Sequence, residues 1–147
     1  MSAGISISEY FDKDRLTKDI YGISRWGDGL ITVLENGHIG LCQPDNPNNP
    51  PTDLTEIIKN LDQRGVTAPV LLRVTNFLRS RIDQINVSFN AAIDELAYKG
   101  KYRGVFPVKV NQQAPVVDRI VEFGRSYDFG LEVGSKAELL IALSHNL

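Results

Sequence analysis

Gly104-Val105-Phe106-Pro107-Val108-Lys109-Val110-Asn111-Gln112 sets one lysine inside an otherwise apolar run. The run reads as a strand from Tyr102 to Val110. Period-two alternation then puts Val105, Pro107, Lys109 and Asn111 on one face. A buried ammonium must be paired, neutralised or used in chemistry, because a bare charge is costly to desolvate. Desolvation leaves more of a lysine as free amine, which can attack a carbonyl and form a Schiff base. The bland alternative is that Lys109 snorkels at a strand end, its stem packed and its head in water.

Working outward, strands and helices alternate from residue 52 onward. Thr52-Asp53-Leu54-Thr55-Glu56 offers a helix cap and an acidic first turn, and the helix should stop at Gly65. Pro69 to Val74 reads as a buried strand. Leu78, Ile82, Ile85, Phe89, Ile93 and Leu96 recur at helical spacing, giving a long helix over 76–98 closed by Gly100. A second helix is expected over 113–124 and a third strand over 128–133. Ser135 should cap a third helix, with Glu138 completing a capping box. Strand-helix repeats with short loops describe a parallel α/β unit. Three repeats suit either a flavodoxin-like sheet or the opening of a (β/α)8 barrel, which needs roughly 250 residues. The chain has 147, and its end inside a helix reads as truncation.

The N-terminal part reads differently. Residues 1–18 are polar and read as a flexible arm. Asp19–Arg25, Leu30–Leu34 and Ile39–Cys42 look like three strands of a small antiparallel β meander over 19–42. Gly27-Asp28-Gly29 and Asn36-Gly37 would form its turns. Residues 43–51 hold four prolines and three asparagines and read as a linker and domain boundary.

Composition narrows the function classes. The chain is 42% hydrophobic with net charge −2, and its pI is about 5.7. That leaves no electrostatic footprint for nucleic acid or an anionic membrane. No secretory h-region and no run of roughly 18 apolar residues appears. The single cysteine, Cys42, allows no internal disulfide and suits a reducing compartment. His38 and His145 are far apart in sequence, so a His/Cys metal site is not expected. His38 reads as a turn residue and His145 as a surface helix residue. Glu132 ends a strand and could sit beside a lysine on the neighbouring strand, and the helix start at Ser135 could receive an anion. Read structurally, the same box is simply a well-made helix start.

Several segments together carry a resemblance. They are Tyr21-Gly22-Ile23-Ser24-Arg25-Trp26-Gly27-Asp28-Gly29, Leu72-Arg73-Val74, Phe77-Leu78-Arg79-Ser80-Arg81-Ile82, Tyr102 to Gln112, and Gly130-Leu131-Glu132-Val133-Gly134-Ser135-Lys136. They closely resemble the biosynthetic arginine decarboxylases, relatives of the alanine racemase and ornithine decarboxylase fold group. The resemblance implies a pyridoxal-phosphate enzyme that makes agmatine from L-arginine for polyamine synthesis, often with magnesium. It makes Lys109 the lysine that carries pyridoxal 5'-phosphate. It places Glu132 and Ser135 in the cofactor-binding D-x-A-S-x-x-E pattern, with Glu132 in place of the aspartate and Gly134 in place of the alanine. The phosphate loop, the carboxylate partner of the pyridine nitrogen, the stacking histidine and a cysteine from across a dimer interface would lie beyond Leu147.

The resulting expectation is the first three β/α units of a PLP-binding (β/α)8 barrel over 52–147, preceded by a β meander belonging to a second β-rich domain. The protein would be a cytoplasmic carboxy-lyase and a homo-oligomer at full length, with this portion inactive by itself. Two other readings stand beside it. One is a cofactor-carrying homeostasis protein without turnover. The other is a small α/β binding domain without covalent chemistry.

Overall fold

In the computed structural model, residues 20–145 are described, and the arm expected over 1–18 lies outside them. The chain divides into two compact units at Arg73 and Val74.

The first unit begins with α1, Ile23–Trp26, where the sequence suggested a strand over 19–25. Ile20, Tyr21 and Ile23 favour strands, but Gly22 adopts φ 61° and ends any extended run. The amide of Gly27 then closes a helical turn on Ile23 O at 2.8 Å, and Trp26 Nε1 donates to Tyr21 O at 2.8 Å. Local hydrogen bonds outweigh β propensity there.

Strands β1, Ile31–Val33, and β2, Ile39–Leu41, pair antiparallel with Ile31 opposite Leu41. Their connection places a turn over Leu34–Gly37, closed by Gly37 N–H on Leu34 O at 2.8 Å. Only Gly37, at φ 82°, takes the left-handed conformation; Asn36 does not. The loop is therefore of the longer kind that ends in a left-handed glycine, in place of a two-residue Asn-Gly turn. Ile23, Val33 and Leu41 form the buried centre.

The third strand of this sheet comes from beyond the proline-rich segment. Strand β3, Thr52–Asp53, pairs with β2 through Gly40 opposite Asp53 and Leu41 opposite Thr52. Residues 43–51 thus form a loop within the sheet, not a boundary between units. The prolines break the strand, but the chain returns to the same ladder.

Asp53 then caps α2, Leu54–Gln63, its Oδ1 accepting from Thr55 N at 2.8 Å and Glu56 N at 3.3 Å. The helix ends at Arg64 and Gly65, the latter at φ 78°, as the sequence indicated. The other carboxylate oxygen, Oδ2, meets His38 Nδ1 at 2.7 Å and Asn36 Nδ2 at 3.2 Å. Partial desolvation works to raise the Asp53 pKa. The hydrogen bonds from His38, Asn36 and the two backbone amides outweigh it and hold the group at about 2. His38 is therefore a sheet-to-helix tie, more than a turn residue.

Pro69–Val74 forms no strand: no described residue pairs with it, and Leu71 is 72% exposed. An apolar run becomes a strand only where a neighbouring edge completes its hydrogen bonds.

The second unit holds α3, Thr75–Glu95, β4, Val105–Pro107, α4, Ala114–Gly124, β5, Gly130–Glu132, and α5, Lys136–Ser144. Ala97 at φ 47° ends the long helix, ahead of the Gly100 suggested by the sequence. Strands β4 and β5 pair in parallel, Val105 opposite Gly130 and Pro107 opposite Glu132. The parallel ladder thus has two strands where the sequence suggested three. Helix α3 packs on α4, and α4 packs on β5. Ile82, Val108, Val117, Ile120 and Ala142 are buried. Of the stripe expected to be core, Ile82 is buried, while Ile85, Phe89 and Leu96 are exposed. None of the described helices is long and apolar enough to cross a membrane.

Phe129 fixes the approach of β5 to its neighbours. A Cβ on Gly104 would fall within the Phe129 ring, and one on Gly124 would sit 2.6 Å from Phe129 Cβ. Both positions are buried and need glycine for that close approach. Two ties add to the clamp: Tyr127 OH donates to Asp83 Oδ1 at 2.9 Å, and the Arg79 guanidinium lies 4.5 Å from the Phe123 ring centre. His145 also leaves its expected surface role. Its side chain is 6% exposed and meets Asp118 Oδ1 at 2.6 Å.

Two outcomes follow for stability. Gly104→Ala should destabilise by about 1–3 kcal/mol, the cost of overpacking, measured by urea denaturation. Asp53 has a pKa depressed on folding, so its contribution is present above the ordinary 3.8 and disappears as pH falls from there through about 2. Thermal melts of wild type and Asp53→Asn should differ at neutral pH and converge over that acid range. A gap that persists unchanged at pH near 2 would contradict the assignment.

Candidate functional site

Lys109 does not lie in the strand. Strand β4 ends at Pro107, and Val108–Val110 form a 3₁₀ turn. The two-residue alternation therefore stops before Lys109, and Val108 takes the buried position, with no exposed surface. Lys109 itself is exposed. Proline at 107 explains the break, because it offers no N–H to extend the ladder. The desolvation that the apolar run suggested is not supplied by the described residues.

The register nonetheless brings the expected residues to one end of the sheet. Pro107 stands opposite Glu132, so the 3₁₀ turn with Lys109 and the loop 133–135 both leave the strands' C-terminal ends. That turn packs on α5. Ser135 caps α5: its Oγ accepts from Glu138 N at 3.2 Å and donates to Glu138 Oε1 at 3.0 Å. Glu138 Oε2 accepts from Gly134 N at 2.9 Å. A methyl on Gly134 would lie 3.8 Å from both Glu132 Oε1 and Glu138 Oε2, so two carboxylates flank this glycine.

Glu138 has its pKa lowered, first by the Gly134 amide, then by the Ser135 hydroxyl. Desolvation opposes them, and the positive charge of Lys109 adds to the lowering. Glu138, which the sequence marked as a helix cap, thus also feels the charge of Lys109. The signal was available: a Ser-x-x-Glu box directly after a strand that pairs with the lysine-bearing strand. The expectation that this helix start receives an anion is not supported, because the Glu138 carboxylate already occupies it and Glu132 stands alongside. Among the described residues no group of three or more His, Cys, Asp or Glu could hold a metal ion.

Comparison with known proteins completes the description. No family model matches the chain. The biosynthetic arginine decarboxylase of Prochlorococcus marinus (strain MIT 9303) is 45% identical over 125 residues, which cover 85% of this chain and 19% of that protein. That of Gloeobacter violaceus is 43% identical over 126 residues, 86% of this chain and 19% of the relative. The crystal structure of the biosynthetic arginine decarboxylase from Campylobacter jejuni superposes with a TM-score of 0.78 at 35% identity. It covers 86% of this chain and 20% of that one. This chain is similar to the N-terminal portion of biosynthetic arginine decarboxylases. It spans about a fifth of the length of the curated arginine decarboxylases it matches.

The capping geometry carries its own expectation. Ser135→Ala removes the cap of α5 and should cost about 1 kcal/mol. It should also raise the Glu138 pKa, since one of the two hydrogen bonds holding it down is gone. Carboxyl-resolved NMR titration of both variants reads this directly. An unchanged Glu138 titration would show that the hydroxyl does not hold the carboxylate.

Proposed function

We propose that this chain is part of a pyridoxal-phosphate-dependent arginine decarboxylase, and that Lys109 is the cofactor-carrying lysine. The similarity to arginine decarboxylases over 85% of the chain carries the reading. The geometry adds to it, since an exposed primary amine stands at the C-terminal end of a parallel strand, next to a carboxylate held by a helix cap. The covalent half of the fit is met, because an accessible amine can condense with an aldehyde. The phosphate half is not met by the described residues, whose helix start at α5 is acidic.

When bound, the cofactor supplies an electron sink for loss of the substrate carboxyl group as carbon dioxide. The chain's own residues supply position and protons. Glu138 attracts the Lys109 ammonium. Ser135 and the Gly134 amide hold Glu138 in place. Lys109 can hold and deliver a proton at Nζ. Glu132, beside Gly134, lines the same end of β5 and belongs with Ser135 to the cofactor-side residues. L-Arginine is the proposed substrate and agmatine the product, on the way to polyamines. For magnesium the described residues offer no ligand group, and no step is assigned to it.

The same reading makes β4, α4, β5 and α5 part of the opening β/α units of a (β/α)8 barrel, and the small sheet part of a second, β-rich domain. It also implies a cytoplasmic homo-oligomer at full length. A cofactor-carrying protein without turnover shares the lysine but would release no carbon dioxide from arginine.

Borohydride reduction of the protein with pyridoxal phosphate, followed by peptide mapping, should place the pyridoxyl group on Lys109. Lys109→Ala should abolish that label and, in the protein extended to the relatives' length, lower agmatine formation by on the order of 10²-fold or more. A label on Lys101 or Lys136 in its place would overturn the assignment.

A further inference from the structure

At the opposite end of the β4–β5 pair lies a second, polar cavity of about 310 Å³. Asn86, Asn90, Lys101, Tyr102, Ser126 and Asp128 line it. Lys101 and Tyr102 precede β4, and Ser126 and Asp128 precede β5. In a parallel pair these segments share the N-terminal end, whereas Lys109 and Glu138 lie past the C-terminal end. The cavity is therefore separate from the proposed cofactor site.

Its lining includes Asn86, the one polar residue among the described residues that is buried as a whole. Asn86 is 1% exposed, and its Nδ2 donates to Ile82 O at 2.8 Å. Its oxygen has no partner among the described residues. None of their side-chain oxygens is both sealed from solvent and unpartnered, so the Asn86 oxygen keeps contact with solvent, and Asn86 lines the cavity. A ligand N–H or a water would satisfy that oxygen.

The rim carries both signs. Lys101 brings an ammonium, and Asp128 brings a carboxylate that Arg103 touches only at 3.5 Å. The walls are held in place from outside the cavity. Tyr102 stacks on Phe89 with ring centres 4.0 Å apart, and Tyr127, beside Asp128, is tied to Asp83 at 2.9 Å. The volume is at the small end for ligand sites.

We propose that this cavity is a binding site for a small zwitterion of the α-amino-acid class, distinct from the Lys109 site and independent of the reaction proposed there. The ligand's carboxylate pairs with Lys101. Its ammonium pairs with Asp128 and the Asn86 oxygen. Tyr102 gives the apolar wall for a short side chain.

The test uses the isotope-labelled chain and L-serine as the probe, with ethanolamine and glycolate as single-charge controls, followed by NMR. L-Serine at millimolar concentration should shift the Asn86 side-chain amide and the backbone of Lys101 and Asp128 saturably, and neither control should match it. Lys101→Met and Asp128→Asn should each weaken the binding by about tenfold. Both positions are exposed, and asparagine accepts the left-handed backbone of residue 128, so the fold should survive; circular dichroism checks that. No saturable shift at these residues, equal shifts from either control, or full affinity in both variants would overturn the proposal. Because the readout is binding at residues remote from Lys109, it is unaffected by whether the decarboxylase reading stands.

Discussion

The parallel pairing of β4 with β5 is the constraint on which the second unit depends. Three residue pairs set it, from Val105 opposite Gly130 to Pro107 opposite Glu132. A short ladder gives little stability by itself, so its register is fixed from the sides. Phe129 sits against two glycines whose missing side chains make its space, and α4 covers β5. With the register set, Lys109 and the Gly134–Glu138 cap leave the same end together. A shift by one residue would move Glu132 to the other face and take the carboxylates out of step with the lysine. The chemistry proposed here thus rests on a packing contact that holds no reactive group.

Much of this was legible in the chain. The Thr-Asp cap of α2, its stop at Gly65, the Ser135 box and the helix over 114–124 were all written in local signals. These are interactions between residues three or four apart, so short stretches of sequence contain them whole. The parallel order of β4 and β5 followed from the helix between them. The motif around Lys109 carried the resemblance, but not the setting of the lysine. Pro107 ended the strand two residues before Lys109, so the alternation did not reach it, and Val108 took the core position.

The misreadings share a cause. Asp19–Arg25 and Pro69–Val74 both carry strand-forming residues, and neither forms a strand. The first is closed by a local helical turn at Gly22; the second has no partner among the described residues. Whether an apolar run becomes a strand is decided by a neighbour distant in sequence. The reverse error occurred at residues 43–51, where prolines marked a break but Thr52 and Asp53 rejoined the ladder. The pairing of His38 with Asp53, and of Tyr127 with Asp83, likewise joins residues 15 or more apart. No local pattern contains such pairs.

Asp53 serves two masters with one carboxylate. One oxygen begins α2, and the other receives His38 and Asn36 from the hairpin. Removing the side chain loses both duties at once, since one carboxylate carries them. Loss of His38 leaves the cap of α2 in place, whereas loss of the Asp53 side chain removes both ties. The nine residues of the loop at 43–51 supply no partner to either bond, so the hairpin is tied to the helix across the loop and not through it.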